Sequence, residues 1–161
     1  MEKGLSKKST KNILFVCIIL IYQILSSLFI AFPPLIGFFF TYTVILNYEK
    51  IKNYKDYNSE WYQSIFFILI AEILHGFEVF STAIFFSIFY YFIFTWLLLK
   101  VKFRNLFLVI LVIIGYLGSF MASNLVLHIK DESFLPIGYE YIFYILIESV
   151  FVLLVFKGRI I

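Results

Sequence analysis

Long apolar runs separated by short polar interruptions set the pattern of this chain. The runs are Ile13–Phe32, Leu35–Tyr48, Trp61–Phe77, Val79–Leu99, Leu106–Leu127 and Ile137–Phe156. A helix needs about 20 mainly apolar residues to cross the hydrocarbon layer of a bilayer. The pattern therefore predicts an all-α integral membrane protein, a six-helix transmembrane bundle with short loops. A single transmembrane domain would occupy residues 13–156, between a basic N-terminus (1–12) and a tail (157–161).

Charge gives that bundle a direction. With the N-terminus inside, Lys3, Lys7, Lys8 and Lys11 fall on the cytoplasmic side, followed by Lys50, Lys52 and Lys55. Lys100, Lys102 and Arg104, then Lys157 and Arg159, join them there. Of the 13 basic residues only Lys130 is placed outside. Basic residues are retained on the cytoplasmic side during insertion, so the bias predicts an N-in/C-in, multi-pass protein. Losing one helix from the count would scatter the charges over both faces.

Composition narrows the class further. A chain 63% hydrophobic, 22% aromatic and 14% charged does not describe a soluble globular domain. Its net charge of +3 marks topology and gives no reason to expect nucleic acid. Cys17, the single cysteine, lies in the first run, so no intrachain disulfide can form. That first run is too long for a signal-peptide core and lacks a small-residue cleavage pattern, which suggests a retained helix. The compact size and the richness in Ile, Phe, Lys and Asn fit a bacterial inner membrane.

Punctuation between the runs supplies the first candidate residues. Pro33 and Pro34 form the turn into the second run, and proline suits the first turn of a helix. Gly76 would stop the third helix in a left-handed conformation. Gly115, Ser119, Ala122 and Ser123 recur at helical spacing, a stripe of small residues where another helix can approach closely. Tyr48, Tyr54, Tyr57, Trp61 and Tyr62 cluster at the cytoplasmic interface, as an aromatic belt does.

Two buried-looking acids stand out. Glu72 sits in the outer half of the third run, and His75 shares its face at i, i+3. The pair reads either as a polar clamp fixing helix register or as a binding or proton-handling site. As a clamp, Glu72 should tolerate replacement by glutamine. Glu148 lies near the middle of the sixth run, where Gln23 and Tyr116 are partners of matching depth. It reads as a structural polar contact or as part of an interface with another membrane protein. Enzymatic signals are sparse. His75 and His128 are isolated, Asp56 and Asp131 fall on opposite sides, and no phosphate loop or nucleophile elbow occurs. The expectation is a protein that is not an enzyme and carries no metal or cofactor.

Two segments resemble a known family. Phe32–Tyr42, with Pro33-Pro34 leading into an aromatic-rich run, resembles the start of the second span in MreD, the rod shape-determining membrane protein. Ala71–Ser81 resembles that family's acidic residue followed by hydrophobics, a small residue and glycine. Glu72 stands in the place of the family's aspartate and Gly76 in that of its glycine. Ser64, Ile68 and Phe80 replace glycines, and His75 replaces a small residue. The overlap runs over roughly Phe32–Arg104. The resemblance implies a non-enzymatic scaffold of the cell-wall elongation machinery that binds an MreC-like partner and, with it, the elongation synthase and transpeptidase. On that reading Pro33, Pro34, Glu72, His75, Gly76, Gly115, Ser119 and Glu148 are packing or partner-binding residues. The alternative is a six-span vitamin-binding subunit of an energy-coupling-factor transporter, since Glu72, His75, Asn124 and the loop His128–Pro136 all tend to the outer face.

Overall fold

The structure, a computed structural model, describes the backbone of residues 2–54 and 56–156 and the side chains from Leu14 onward. Expectations placed on the lysines before Leu14, on Lys55 and on the tail beyond residue 156 lie outside the described residues. The rest forms helices: α1 (Glu2–Leu28), α2 (Ile36–Asn53), α3 (Asn58–Leu74), α4 (Ser81–Lys100), α5 (Arg104–Ile129) and α6 (Glu140–Val155). Each apolar run thus supplies one helix, and the polar interruptions become the connections.

Helix length departs from the expectation of six full spans. Among the described residues two helices, α4 and α5, are long and apolar enough to cross a membrane. The α3 helix has 17 residues and α6 has 16, about 26 and 24 Å at 1.5 Å per residue. The 18 residues of α2 include Glu49, Lys50 and Lys52, and the described side chains of α1 contribute the apolar stretch Leu14–Leu28. The first run also loses its last residues to an irregular segment between Leu28 and Ile36, where the sequence suggests only a two-proline turn. Pro33 and Pro34 precede α2 instead of forming its first turn, and Leu35 takes the capping position in a left-handed conformation, φ 60°.

Helix α2 is the centre of the bundle and packs against α3, α5 and α6. Its Ile36, Phe39, Phe40, Val44, Ile45 and Leu46 are all buried. Helix α4 lies against α5, while α1 sits at the edge and packs chiefly on α3. The Phe40 ring stacks on Phe85, meets Phe86 edge-on and leans on Phe89. A wide π-helical turn over Phe89–Ile93 interrupts α4, with the Phe94 N–H bonded to the Phe89 carbonyl. Five-residue spacing then places both Phe89 and Phe94 on the buried face, which ordinary α-helical spacing would not do. Phe94 in turn stacks on Tyr90 and meets Phe107 of α5.

The small-residue stripe on α5 does bring helices close, although the tightest approach is at Gly118, outside the stripe. A Cβ at Gly115 would lie 3.0 Å from the Phe40 ring, but one at Gly118 would come within 1.9 Å of Phe85. Phe85 is held between Phe40 and Phe89, so its ring has little room to yield. Gly118→Ala should therefore destabilise the bundle by about 1–3 kcal/mol, the usual cost of overpacking. Thermal unfolding in a mild detergent would show this as a lowered midpoint, and an unchanged midpoint would refute the packing assigned to Phe85.

Candidate functional site

The first helical N–H groups of any helix lack partners within the helix and must find acceptors elsewhere. In α2 and α4 the residues at the capping positions are Leu35 and Phe80, neither of which caps with its side chain. Both helix starts are instead served by a carboxylate reaching in from another helix.

Glu72, in the last turn of α3, serves α4. The chain reverses just after it: His75 closes the last turn on Ala71, Gly76 takes φ 74°, and the Phe77 N–H returns to the Glu72 carbonyl. This fold-back delivers the start of α4 to the Glu72 side chain. Oε2 accepts from the Phe80 N–H at 2.9 Å, and Oε1 accepts from the Thr82 N–H at 2.6 Å and the Ser81 hydroxyl at 2.9 Å. The side chain is fully buried, and its oxygens lie at the N-terminal end of α4.

The α5 stripe completes this joint. Thr82 donates to Ser119 at 2.9 Å, and Ser119 donates to the Gly115 carbonyl at 2.7 Å. Ser123 accepts from the Glu78 N–H at 2.8 Å. Ser119 and Ser123 thus act as hydrogen-bonding groups as well as small ones.

The expected Glu72–His75 pair does not form, because the helix start occupies both oxygens of Glu72. His75 contacts the Ala71 carbonyl through Nδ1 at 3.0 Å and the Ser26 hydroxyl through Nε2 at 3.1 Å. It therefore ties α1 to the end of α3. In the tautomer with the proton on Nδ1, Nε2 accepts from Ser26.

Glu148 of α6 serves the start of α2. Its Oε2 accepts from the Phe38 N–H at 2.7 Å, and its Oε1 accepts a short bond from the Tyr116 hydroxyl. Gly37 makes the approach possible, since a Cβ there would lie 2.8 Å from Val112 and 3.0 Å from Glu148 Oε2. Of the two depth-matched partners, Tyr116 meets Glu148 and Gln23 does not. Gln23 donates instead to the Pro34 carbonyl at 2.8 Å. Tyr22 donates to the Pro33 carbonyl at 3.0 Å and Tyr144 to that of Ile30 at 2.7 Å. Three carbonyls of the irregular segment before α2, those of Ile30, Pro33 and Pro34, thus accept from side chains, and its two prolines bring no N–H that would need an acceptor.

Beyond α5, Asn124 accepts from the Leu135 N–H at 2.8 Å and fixes the following loop. Lys130 pairs with Glu78, linking that loop to the α3–α4 connection. The hydrogen bond to Glu78 holds the Lys130 ammonium above its ordinary pKa of 10.5. A raised pKa means the pair contributes fully below the ordinary value and is lost as pH climbs through the raised one.

Gly37, Gly118, Ser81, Thr82, Tyr22 and Tyr144 were not legible as site residues. Ser81-Thr82 at the head of an apolar run carried the one available signal, that of a helix start. Among the described residues no three His, Cys, Asp or Glu side chains gather into a metal-sized group. Comparison with protein-family models, with curated proteins and with solved structures finds no match for this chain.

The two carboxylates should respond differently to glutamine. At position 72 both side-chain oxygens accept from N–H groups, so an amide NH₂ would face a donor that cannot reverse. At position 148 the amide NH₂ can face Tyr116, whose hydroxyl also accepts. Glu72→Gln should therefore cost about 1–3 kcal/mol, the penalty of a buried unpaired N–H, against less for Glu148→Gln. Unfolding by SDS titration in mixed micelles tests the order, and equal losses would contradict these roles.

Proposed function

We propose that the chain is a six-span, N-in/C-in protein of the bacterial inner membrane. Its role on this reading is a non-enzymatic scaffold of the rod shape-determining, cell-wall elongation machinery. It would bind an MreC-like protein and, through it, the elongation synthase and transpeptidase.

Large apolar side chains point outward from α1 to α6, among them Ile21, Ile73, Phe92, Leu125 and Leu154, which suits a lipid surround. The shorter helices fit a bilayer that thins locally, or helices whose ends lie in the headgroup layer. The observation that carries the scaffold reading is what the two MreD-like segments do. Pro33-Pro34 and Gly37 build the start of α2, while Glu72 and Gly76 build the start of α4. The residues of the resemblance are thus engaged in joints, as expected of a protein that works by holding a shape for partners. Glu72, His75 and the Asn124 Oδ1 make hydrogen bonds within the protein, which favours the scaffold reading over the vitamin-binding alternative.

Depleting the protein in its own host and following cell width by microscopy tests the proposal. Rounding or swelling before lysis, together with co-purification of an MreC-like protein, is the expected outcome. Unchanged width at full depletion would overturn it.

A further inference from the structure

The outward face of α4 carries hydroxyls at a depth where lipid supplies no hydrogen bond. Of the two long apolar helices, α4 has the lesser cover from its own chain. Within their apolar stretches 22% of α4 is buried, against 50% of α5. Its inward residues pack on α5, while Ile84, Ser87, Ile88, Tyr91, Phe92 and Thr95 all face outward. Ser87, Tyr91 and Thr95 recur at four-residue spacing along this face. Tyr91 is 83% exposed. The π-helical turn over Phe89–Ile93 turns Phe89 and Phe94 inward and leaves Tyr91 and Phe92 side by side outside.

Tyr91 stands ten residues after Ser81 and nine before Lys100, about 15 and 14 Å from the helix ends. In a span that crosses a hydrocarbon layer of about 30 Å, this is mid-membrane. Lipid-facing tyrosines belong at the headgroups, where the phenol is wetted. From the middle of α4 a phenol is too short to reach either headgroup layer. The Tyr91 and Thr95 hydroxyls make no hydrogen bond among the described residues. Ser87 donates to the Ala83 carbonyl at 3.0 Å, which leaves its oxygen able to accept. A polar group bare in hydrocarbon is costly, so this face requires a cover that offers hydrogen bonds.

The chemistry of the face points to its cover. A hydroxyl both donates and accepts, so a row of hydroxyls can pair with an identical row. Like charges would repel their own copies, but residues 81–99 contain no charged side chain. Copies of a membrane protein insert in one orientation, so a two-fold axis along the membrane normal lays two α4 helices parallel. Ser87, Tyr91 and Thr95 then meet the same residues of the other copy at the same depth. We propose that α4 docks a second copy of this chain through this stripe, with Tyr91 at its centre, giving a two-fold dimer in the membrane. Hydroxyl bonds between helices are an established glue in bilayers, and Ile84, Ile88 and Phe92 supply apolar contact beside them. The inference rests on the membrane reading proposed above but not on the cell-wall role.

The test reconstitutes the full chain in phosphatidylcholine vesicles, with donor or acceptor dye on Cys17, the single cysteine, which is exposed. Energy transfer between copies is followed as the protein is diluted with lipid. Tyr91→Phe, which keeps the ring, should weaken association about tenfold, the loss of two interhelical hydrogen bonds. Ser27→Ala removes an outward hydroxyl already bonded to the Ile24 carbonyl, and should leave association within about twofold. On a Cys17→Ser background, Tyr91→Cys should join two copies by a disulfide when iodine is added, and Met121→Cys, exposed on α5, should not. Unchanged association of Tyr91→Phe would overturn the proposal, as would cross-linking through position 121 in place of 91. Monomers at every dilution, with a Tyr91→Cys cross-link to a different protein in host membranes, would overturn it and give the face to that protein. Loss of the chain from vesicles on alkaline extraction would overturn the membrane reading and this proposal with it, whereas monomers retained there would overturn this proposal alone. Retained monomers would leave the cell-width experiment unaffected.

Discussion

Everything in this bundle depends on how two helix starts obtain acceptors in an apolar interior. A helix beginning at the surface has its first N–H groups satisfied by water, whereas one beginning inside has none. Both α2 and α4 start inside, behind capping residues that are hydrophobic. Glu148 and Glu72 meet this need from α6 and α3, each placing acceptor oxygens at the N–H groups of a helix start. An isolated buried carboxylate is costly and so is an exposed row of buried N–H groups, but joined they satisfy each other. The two joints, one across the α3–α4 turn and one between α6 and α2, thereby help fix which helices are neighbours and where α2 and α4 begin.

Packing follows from these joints. Once α2 and α4 are set, their Phe40 and Phe85 rings stack against each other and require smooth backbone opposite. Gly115 and Gly118 of α5 supply it, and Ser119 and Ser123 add hydrogen bonds to the start of α4 without adding bulk. The π-helical turn of α4 extends the aromatic contact by bringing Phe89 and Phe94 onto one face. Close packing and internal hydrogen bonds join these helices. Both are concentrated along α5, where the small residues lie.

The sequence revealed the number of helices, the left-handed stop at Gly76 and the weight of Glu72 and Glu148, because each leaves a local mark. Apolar runs have a length, glycine has a conformational freedom, and an acid in an apolar run is conspicuous. Their partners were harder to read. Glu72 and His75 share a helical face, yet the fold-back at Gly76 presents Glu72 with three donors of α4 that spacing along α3 cannot disclose. Depth matching found Tyr116 for Glu148 but also suggested Gln23, whose side chain the Pro34 carbonyl claims. The length of the α1–α2 connection was misjudged for the same reason. Phe29, Ile30 and Phe32 are as apolar as the helix before them, and only the hydrogen bonds from Tyr22, Gln23 and Tyr144 reveal that the backbone there is irregular.

The same accounting limits where recognition can take place. Glu72, Glu148, Ser119, Ser123 and Asn124 are engaged by backbone or side chains of their own chain, so each is a poor candidate for a ligand that must come and go. Displacing one would unsatisfy a helix start or a loop. Two kinds of surface remain: the apolar periphery, which can meet lipid or another membrane helix, and the interfacial ends, where polar groups have solvent on one side. A reversible site has to lie on one of these two surfaces, where occupying it leaves the acceptors of both helix starts in place.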